Sequence, residues 1–267
     1  MPYIQCNGAD LYYEDHGEGH PIVFLHGVMC GLRFFDPQMG SLSDKYRTIA
    51  VDFRGHGRSE KTEAGHTVAQ YARDLHTFLE QRNIEEVVLV GWSMGAFVSW
   101  DYVDQFGTER IRGLVDVDIE ASRFQWDDYD YGLTDLEGLQ DTLALVQEDQ
   151  TSFIQRLTGQ VFSNPTTEMR TLQFDETSRT PTPIKSAILF DALTRDYRAV
   201  LPEIDVPMLV CAGADETRGT GTVAAVRHVA DLVPDATFEL FEDCGHCPPI
   251  EQSERFNRIV NQFITSL

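Results

Sequence analysis

A short stretch in the middle of the chain, EVVLVGWSMGAFVSW at residues 86–100, leaves few choices of local structure. It begins with an apolar, β-branched run at 87–90, which is too short for a helix and suits a strand buried on both faces. Apolar residues with helical spacing follow directly after the pentapeptide GWSMG at 91–95. Ser93 is therefore predicted to lie on a sharp turn between a buried strand and a helix. That is the setting of a G-x-S-x-G nucleophile elbow, a strained turn in which the flanking glycines avoid collisions.

Short apolar strands alternate with amphipathic helices on both sides of this stretch. The predicted strands lie at 21–25, 46–51, 87–90, 113–118, 207–212 and 237–241. This alternation predicts parallel strands joined by right-handed helical crossovers. Residues 119–202 lack a convincing buried strand and carry helical stretches mixed with aromatic and acidic residues. We therefore predict an α/β fold whose core, at 1–118 and 203–267, is a mostly parallel sheet flanked by helices, with a helical cap inserted at 119–202.

A serine hydroxyl becomes a useful nucleophile only when a base lies within hydrogen-bond reach and an acid orients that base. In the chain order that accompanies such an elbow, the base follows the serine, and only His228 and His246 do so. His228 lies within a predicted helix, whereas His246 lies in the loop between the last strand and the last helix. That loop can reach the carboxyl ends of the strands, where sheets of this kind bind ligands. His246 is the predicted base, and a loop histidine without a catalytic role is the alternative.

The orienting acid is expected just beyond the penultimate strand, where Asp215 and Glu216 are adjacent. Successive residues cannot both point at one imidazole, so one of the two must serve another purpose. Asp116 and Asp118, at the end of the preceding strand, are a third option because the ends of neighbouring strands are close in space.

Attack on a carbonyl group places charge on its oxygen, and backbone N–H groups must stabilise that charge. The N–H of Met94 is available because it opens a helix, where the first donors are unpaired. A second donor is expected from Val28, in the HGVMC turn that follows a strand. Several apolar residues could also line an acyl pocket for a small to medium, uncharged or apolar substrate, although packing is the more ordinary role for each. These residues are Met29, Phe34, Trp92, Phe124 and Trp126.

Five motifs together resemble the α/β-hydrolase superfamily, and most closely its cap-bearing esterase, perhydrolase-like haloperoxidase and lactonase branch. They cover nearly the whole chain: H-G-x at 26–28, D-x-R-G-x-G-x-S at 52–59, G-x-S-M-G at 91–95, P-x-L-V-x-x-G at 207–213 and G-H-x-P at 245–248. The resemblance implies that Ser93 is the nucleophile and His246 the base. It also implies oxyanion donors at Val28 and Met94.

The resemblance further implies an acid three residues after Gly213, which is Glu216. The usual residue at that position is Asp, whereas this chain has Glu preceded by Asp215. Some lactonase-like members of the superfamily resemble this chain in that respect. Glu216 is therefore the favoured acid and Asp215 the alternative.

Relatives that cleave carbon–halogen bonds or epoxides carry Asp at the elbow, so Ser93 implies acyl chemistry. The implied activity is that of a serine hydrolase, which cleaves a small to medium carboxylic ester or lactone through an acyl-enzyme on Ser93, without metal or organic cofactor. A C–C bond hydrolase or lyase with the same triad is an alternative, because fold and triad do not set the reaction. A non-catalytic ligand receptor on the same fold is a second alternative.

The acidic charge balance of the chain disfavours some classes of binding partner. The chain has 43 Asp and Glu against 21 Lys and Arg, a net charge of −22, and its only lysines are Lys45, Lys61 and Lys185. Such a surface repels nucleic acid and anionic membranes and disfavours polyanionic substrates. It resembles the surfaces of halophilic proteins, with an acidic mesophilic protein as the alternative. Because no long apolar run or leader pattern is present, we expect a cytoplasmic protein that acts on small molecules, of open oligomeric state.

Five cysteines are spread over the chain, which is not a disulfide framework. Cys244 and Cys247 have C-x-x-C spacing, but no second such pair completes a zinc site. Incidental thiols are therefore favoured over a redox pair, and no metal site is predicted.

Overall fold

The computed structural model describes residues 2–218 and 221–267 and contains an eight-stranded sheet. The strands are β1 Tyr3–Cys6, β2 Ala9–His16, β3 Pro21–Leu25, β4 Arg47–Val51, β5 Val87–Trp92, β6 Ile111–Val117, β7 Met208–Gly213 and β8 Ala236–Phe241. Their spatial order is β1-β2-β4-β3-β5-β6-β7-β8. The β1–β2 and β2–β4 pairs are antiparallel and the other pairs are parallel. The predicted α/β class with a mostly parallel sheet is confirmed.

Helices connect the strands and cover the sheet. They are α1 Asp36–Leu42, α2 Val68–Gln81, α3 Met94–Phe106, α4 Leu136–Glu148, α5 Gln150–Val161, α6 Thr167–Arg179, α7 Thr182–Leu193, α8 Val223–Leu232, α9 Pro248–Glu251 and α10 Ser253–Ser266. Local signals start several of them; the Thr67 hydroxyl, for example, accepts a hydrogen bond from the Gln70 N–H at the start of α2. Helices α4 to α7 lie between β6 and β7, and we refer to residues 119–202 as the helical insertion.

Both faces of the sheet are buried, which explains why its central strands are apolar throughout. Alternate side chains of β3 enter different layers. Val23 and Leu25 pack in the layer that contains α2, α3 and α8. Ile22 and Phe24 pack in the layer that contains α1 and α10. The two layers hold the parallel strands rigidly, so the loops at their carboxyl ends are fixed relative to one another.

The loops that follow β3, β5, β6, β7 and β8 leave the same edge of the sheet, because these strands are parallel. That edge receives Ser93 from β5 and the loop containing His246 from β8. No helix in residues 2–218 and 221–267 is long and apolar enough to span a membrane.

Candidate active site

Ser93 is the single residue between the end of β5 and the start of α3. Its backbone has φ 54° and ψ −120°, a conformation that is strained for a residue with a Cβ. The flanking glycines are sterically required: a Cβ on Gly95 would overlap the carbonyl oxygen of Leu25, and one on Gly91 would meet the backbone nitrogen of Ala96. The structure therefore contains the sharp strand–turn–helix that the sequence predicts, with Ser93 at its tip.

The imidazole of His246 is held by a carboxylate. Its Nδ1 lies 2.7 Å from Oδ2 of Asp118, and both side chains are buried. The other carboxylate oxygen of Asp118 accepts a hydrogen bond of 2.8 Å from the Gly213 N–H, which fixes its orientation. An acceptor at Nδ1 favours the tautomer protonated there, and this leaves Nε2 as a proton acceptor.

The carboxylate that contacts His246 belongs to neither of the predicted acids, Glu216 and Asp215. This corrects the sequence-based assignment. Oε1 of Glu216 accepts a hydrogen bond of 2.7 Å from the Val223 N–H. Asp215 accepts a hydrogen bond of 2.6 Å from the Ser163 hydroxyl, in the helical insertion. The two residues thus organise the loop after β7 and the contact of that loop with the insertion.

Strand order explains why Asp118 takes this place. Strand β6 lies directly between β5 and β7, so its carboxyl end is adjacent to the elbow, whereas the end of β7 is one strand further away. Asp118 follows β6 with φ 54°, a turn that directs the chain out of the sheet. Asp116, the other residue of this third option, is buried within β6 and accepts a hydrogen bond from the Trp100 indole.

Trp92 links the elbow to the histidine loop. Its indole N–H donates a hydrogen bond of 2.7 Å to the carbonyl of His246, whose own N–H donates to the Val161 carbonyl at 2.9 Å. The indole is buried and stacks on Phe34 with ring centroids 4.9 Å apart. These contacts fix the backbone of His246 from two sides, so the imidazole is held by the fold as well as by Asp118.

The two predicted oxyanion donors lie near Ser93: Met94 follows it directly, and Val28 lines the same cavity. Met94 begins α3, and Val28 lies in the loop after β3. In the described part of the chain, neither N–H donates to a protein acceptor. Both donors are thus available, as an oxyanion hole would need.

Ser93 and His246 line a cavity of about 250 Å³ together with residues of the helical insertion. The cavity includes Met29 and Trp92, two of the residues expected there. Its remaining apolar wall comes mostly from helices α4, α5 and α7. The lining residues from these helices are Gly138, Thr142, Leu145, Phe153, Arg156, Leu157, Gln160, Val161, Leu189 and Leu193.

Three other residues predicted for the pocket do not line it. Phe34 lies behind Trp92 in the buried core. Phe124 and Trp126 contact each other with ring centroids 5.0 Å apart, outside the cavity. In their place the wall contains Arg123 and Arg156 together with leucines of the insertion.

His26 is a structural histidine close to this loop. Its Nδ1 lies 2.8 Å from the Gly27 carbonyl, and its Nε2 accepts a hydrogen bond of 3.1 Å from the Phe53 N–H. Only a neutral ring satisfies both partners. Complete burial is the main reason that the pKa of His26 is lowered to about 4.

The neutral state of His26 predicts a pH-dependent stability. Below about pH 6.5, His26 binds a proton in the unfolded chain but not in the folded protein. The contribution of His26 to stability therefore falls as the pH falls toward 4. The difference in free energy of unfolding between wild type and His26→Asn should shrink by about 2 kcal/mol from roughly pH 7 to roughly pH 5. Urea unfolding at constant ionic strength measures this difference. A difference that does not change with pH would mean that folded His26 accepts the proton.

Comparison with known proteins matches this architecture. The family model described as alpha/beta hydrolase fold matches residues 20–253. The non-heme chloroperoxidase CPO-A1 of Kitasatospora aureofaciens is 28% identical over 268 residues, covering 97% of each chain. A relative in Synechocystis sp., also named for non-heme chloroperoxidase activity, is 38% identical over 121 residues; these are 43% of this chain and only 44% of that protein.

Solved structures superimpose over nearly the whole chain. The esterase EaEST of Exiguobacterium antarcticum has a TM-score of 0.93 at 23% identity and covers 98% of both chains. The enol-lactonase of Burkholderia xenovorans LB400 has a TM-score of 0.84 at 22% identity and covers 99% of this chain and 100% of its own. At these identities the overlaps establish the fold alone. Because the family model spans most of the sequence, the chain belongs to the α/β-hydrolase family.

Proposed function

We propose that this protein is a serine hydrolase that cleaves a small to medium carboxylic ester or lactone through an acyl-enzyme on Ser93. One observation carries the proposal: His246, bonded to Asp118 at 2.7 Å, lines the same cavity as a serine held on a strained turn. Asp118 replaces Glu216 in the proposed triad. Such a constellation activates a hydroxyl that is otherwise a weak nucleophile.

In the acylation step, Oγ of Ser93 attacks the substrate carbonyl carbon while its proton moves to Nε2 of His246. The carbonyl oxygen becomes an oxyanion, which accepts hydrogen bonds from the N–H groups of Val28 and Met94. The intermediate collapses as the bond to the leaving oxygen breaks. His246 gives its proton to that oxygen, and an alcohol leaves or, for a lactone, remains as the far end of the acyl chain.

In the deacylation step, water takes the place of the alcohol. His246 removes a proton from the water, the resulting oxygen attacks the acyl carbon, and the bond to Oγ of Ser93 breaks. The proton returns to Ser93, and the carboxylic acid is released. The carboxylate of Asp118 stabilises the imidazolium that forms twice in the cycle.

The helical insertion would act as the cap of this site. Its side chains form most of the cavity wall, so they would exclude water during acylation and select the acyl group. An esterase and an enol-lactonase are among the similar structures, and both names describe cleavage of an ester bond. The fold is therefore compatible with ester or lactone chemistry, and the assay below decides between this reaction and the C–C hydrolase alternative.

The proposal is tested by assaying purified protein against p-nitrophenyl acetate and butyrate and against small lactones. We expect turnover that begins with a burst of p-nitrophenol stoichiometric with enzyme, because the acyl-enzyme accumulates when deacylation is slower. The assays are run at low and at molar KCl, since the net charge of −22 gives salt a screening role. A folded protein that hydrolyses neither substrate class at either salt concentration would contradict the proposal.

A further inference from the structure

The cavity that holds Ser93 has two arginines among its lining residues, although the protein has a net charge of −22. Arg123 precedes the helices of the insertion, and Arg156 lies on α5. The sequence-based expectation of an apolar pocket for uncharged substrates does not account for them. The two arginines have different surroundings, because Arg123 is mostly buried whereas Arg156 is exposed.

Arg123 is mostly buried, and the buried side chain of Glu120 holds its guanidinium. Its Nε donates a hydrogen bond of 2.8 Å to Oε1 of Glu120, whose side chain has no exposed surface. The Arg123 carbonyl also accepts hydrogen bonds from the N–H groups of Leu133 and Thr134. This leaves both terminal nitrogens of the guanidinium without a protein acceptor in the described part of the chain. A fixed fork of N–H donors of this kind matches the geometry of a carboxylate.

Arg156 is exposed at the rim and has no hydrogen bond or ion pair within residues 2–218 and 221–267. In the described part of the chain, no carboxylate therefore neutralises the charge of Arg156. Arg156 adds a second positive charge to the same cavity. Local charge of this sign favours an anionic group inside the cavity despite the acidic surface outside.

We infer that Arg123, assisted by Arg156, binds a carboxylate carried by the acyl part of the substrate, so that the preferred substrates are half-esters of dicarboxylic acids or lactones bearing a carboxylate. This inference rests on the proposed ester or lactone hydrolysis. Glu120 is then a positioning residue, which locks the guanidinium by its Nε and leaves the two terminal nitrogens for the substrate. Leucines of α4, α5 and α7 line the same cavity and would contact the apolar part of the acyl chain.

A purely structural role for Arg123 is the competing explanation. The buried carboxylate of Glu120 needs a countercharge, and Arg123 supplies one. A structural role predicts that removing Arg123 affects every substrate alike. A role in recognition predicts an effect that depends on the charge of the acyl chain, and this difference decides between the two explanations.

The experiment compares mono-p-nitrophenyl adipate with p-nitrophenyl hexanoate, which has the same chain length without the terminal carboxylate. The quantity measured is the ratio of kcat/KM for the acidic ester to that for the neutral ester. Wild type should prefer the acidic ester, and the ratio should fall about ten- to hundredfold in Arg123→Gln, the range expected for a lost charge-assisted hydrogen-bonded pair. Arg123→Lys, which keeps the charge but not the fork, should restore part of the ratio.

Two further variants control for stability and net charge. Arg156→Gln alters an exposed side chain, so it should fold normally and still lower the ratio by a few-fold. Arg258→Gln removes the same charge from an exposed site on α10, away from the cavity, and should leave the ratio unchanged. Equal losses on both esters in the Arg123 and Arg156 variants, or a wild-type preference for the neutral ester, would overturn the inference.

A binding measurement separates failure of this inference from failure of the proposed reaction. Calorimetry with Ser93→Ala compares adipate with adipamide, which are similar in size but differ in charge. Adipate should bind about tenfold more tightly, and the difference should vanish when Arg123→Gln is added. If wild type hydrolyses no ester yet adipate is preferred, the reaction is wrong and the carboxylate site stands. If esters are hydrolysed and adipate is not preferred, the carboxylate site is wrong.

Discussion

Asp118→Asn is expected to lower kcat for p-nitrophenyl butyrate by about a thousand- to ten-thousandfold while the fold stays intact. Asparagine has the same shape, and its amide oxygen can still accept from the Gly213 N–H. Its NH₂ group, however, would donate to Nδ1 of His246 where the carboxylate now accepts. The imidazole would then carry its proton on Nε2 and could not accept the proton of Ser93.

The matched controls for this variant are Glu216→Gln and Asp215→Asn, each assayed with the same ester. Glu216 bonds to a backbone N–H at the start of α8, and glutamine can accept that bond equally well. Both variants should retain kcat within about threefold, because neither side chain contacts the imidazole. If Glu216→Gln is as damaging as Asp118→Asn, the acid assigned from the structure is wrong. Circular dichroism and thermal unfolding of each variant verify that folding is unchanged.

Ser93→Ala should reduce kcat by about ten-thousand- to a millionfold, because it removes the hydroxyl proposed to form the acyl-enzyme. His246→Ala should cause a loss of similar size, and the double variant should be hardly worse than either single one. This non-additivity is expected when two residues act as one unit. A Ser93→Ala protein that retains more than a few per cent of wild-type kcat would contradict the assigned nucleophile.

Ser93→Gly distinguishes loss of the hydroxyl from damage to the turn. Glycine adopts a positive φ without the penalty that a Cβ imposes, so the turn at φ 54° would be relieved of strain. Activity should be lost as completely as in Ser93→Ala, while the free energy of unfolding should rise by about 1 kcal/mol. Denaturant unfolding of wild type and both variants provides this comparison.

The sheet and the elbow could be predicted because local patterns determine them. The apolar run of β5 identifies a strand buried on both faces, and the glycines beside Ser93 are needed by contacts made within a few residues and with the neighbouring strand β3. The sequence of helix α6, TEMRTLQFDETSR, does not by itself predict a helix that packs on a core, because it carries few apolar residues and no continuous apolar stripe.

The acid could not be determined from local patterns. The choice among Asp118, Asp215 and Glu216 depends on which strand end lies beside the elbow, and strand order is a property of the whole sheet. Family spacing favoured Glu216, whereas the placement of β6 beside β5 brings Asp118 to His246. Adjacency to β5 in the sheet indicates Asp118, whereas spacing along the chain indicates Glu216.

The pocket was predicted least well, for a related reason. Trp92 ends β5 and Met29 lies in the loop after β3, so their positions at the sheet edge could be inferred from the sequence. Arg123 and Arg156 belong to the helical insertion, whose packing over the sheet is set by contacts between distant segments. Phe124 and Trp126 are predicted pocket residues only because they are aromatic and lie in the insertion. The structure places them outside the cavity.

We propose that Ser93 carries the acyl group, and covalent trapping detects that group on the serine itself. The protein is mixed with excess p-nitrophenyl butyrate, quenched in acid within the burst, digested, and examined by mass spectrometry. We predict one butyryl group on the peptide that contains Ser93 and no butyryl group on the corresponding peptide of Ser93→Ala. A butyryl group on a cysteine or lysine, or steady turnover by Ser93→Ala without any adduct, would contradict the account.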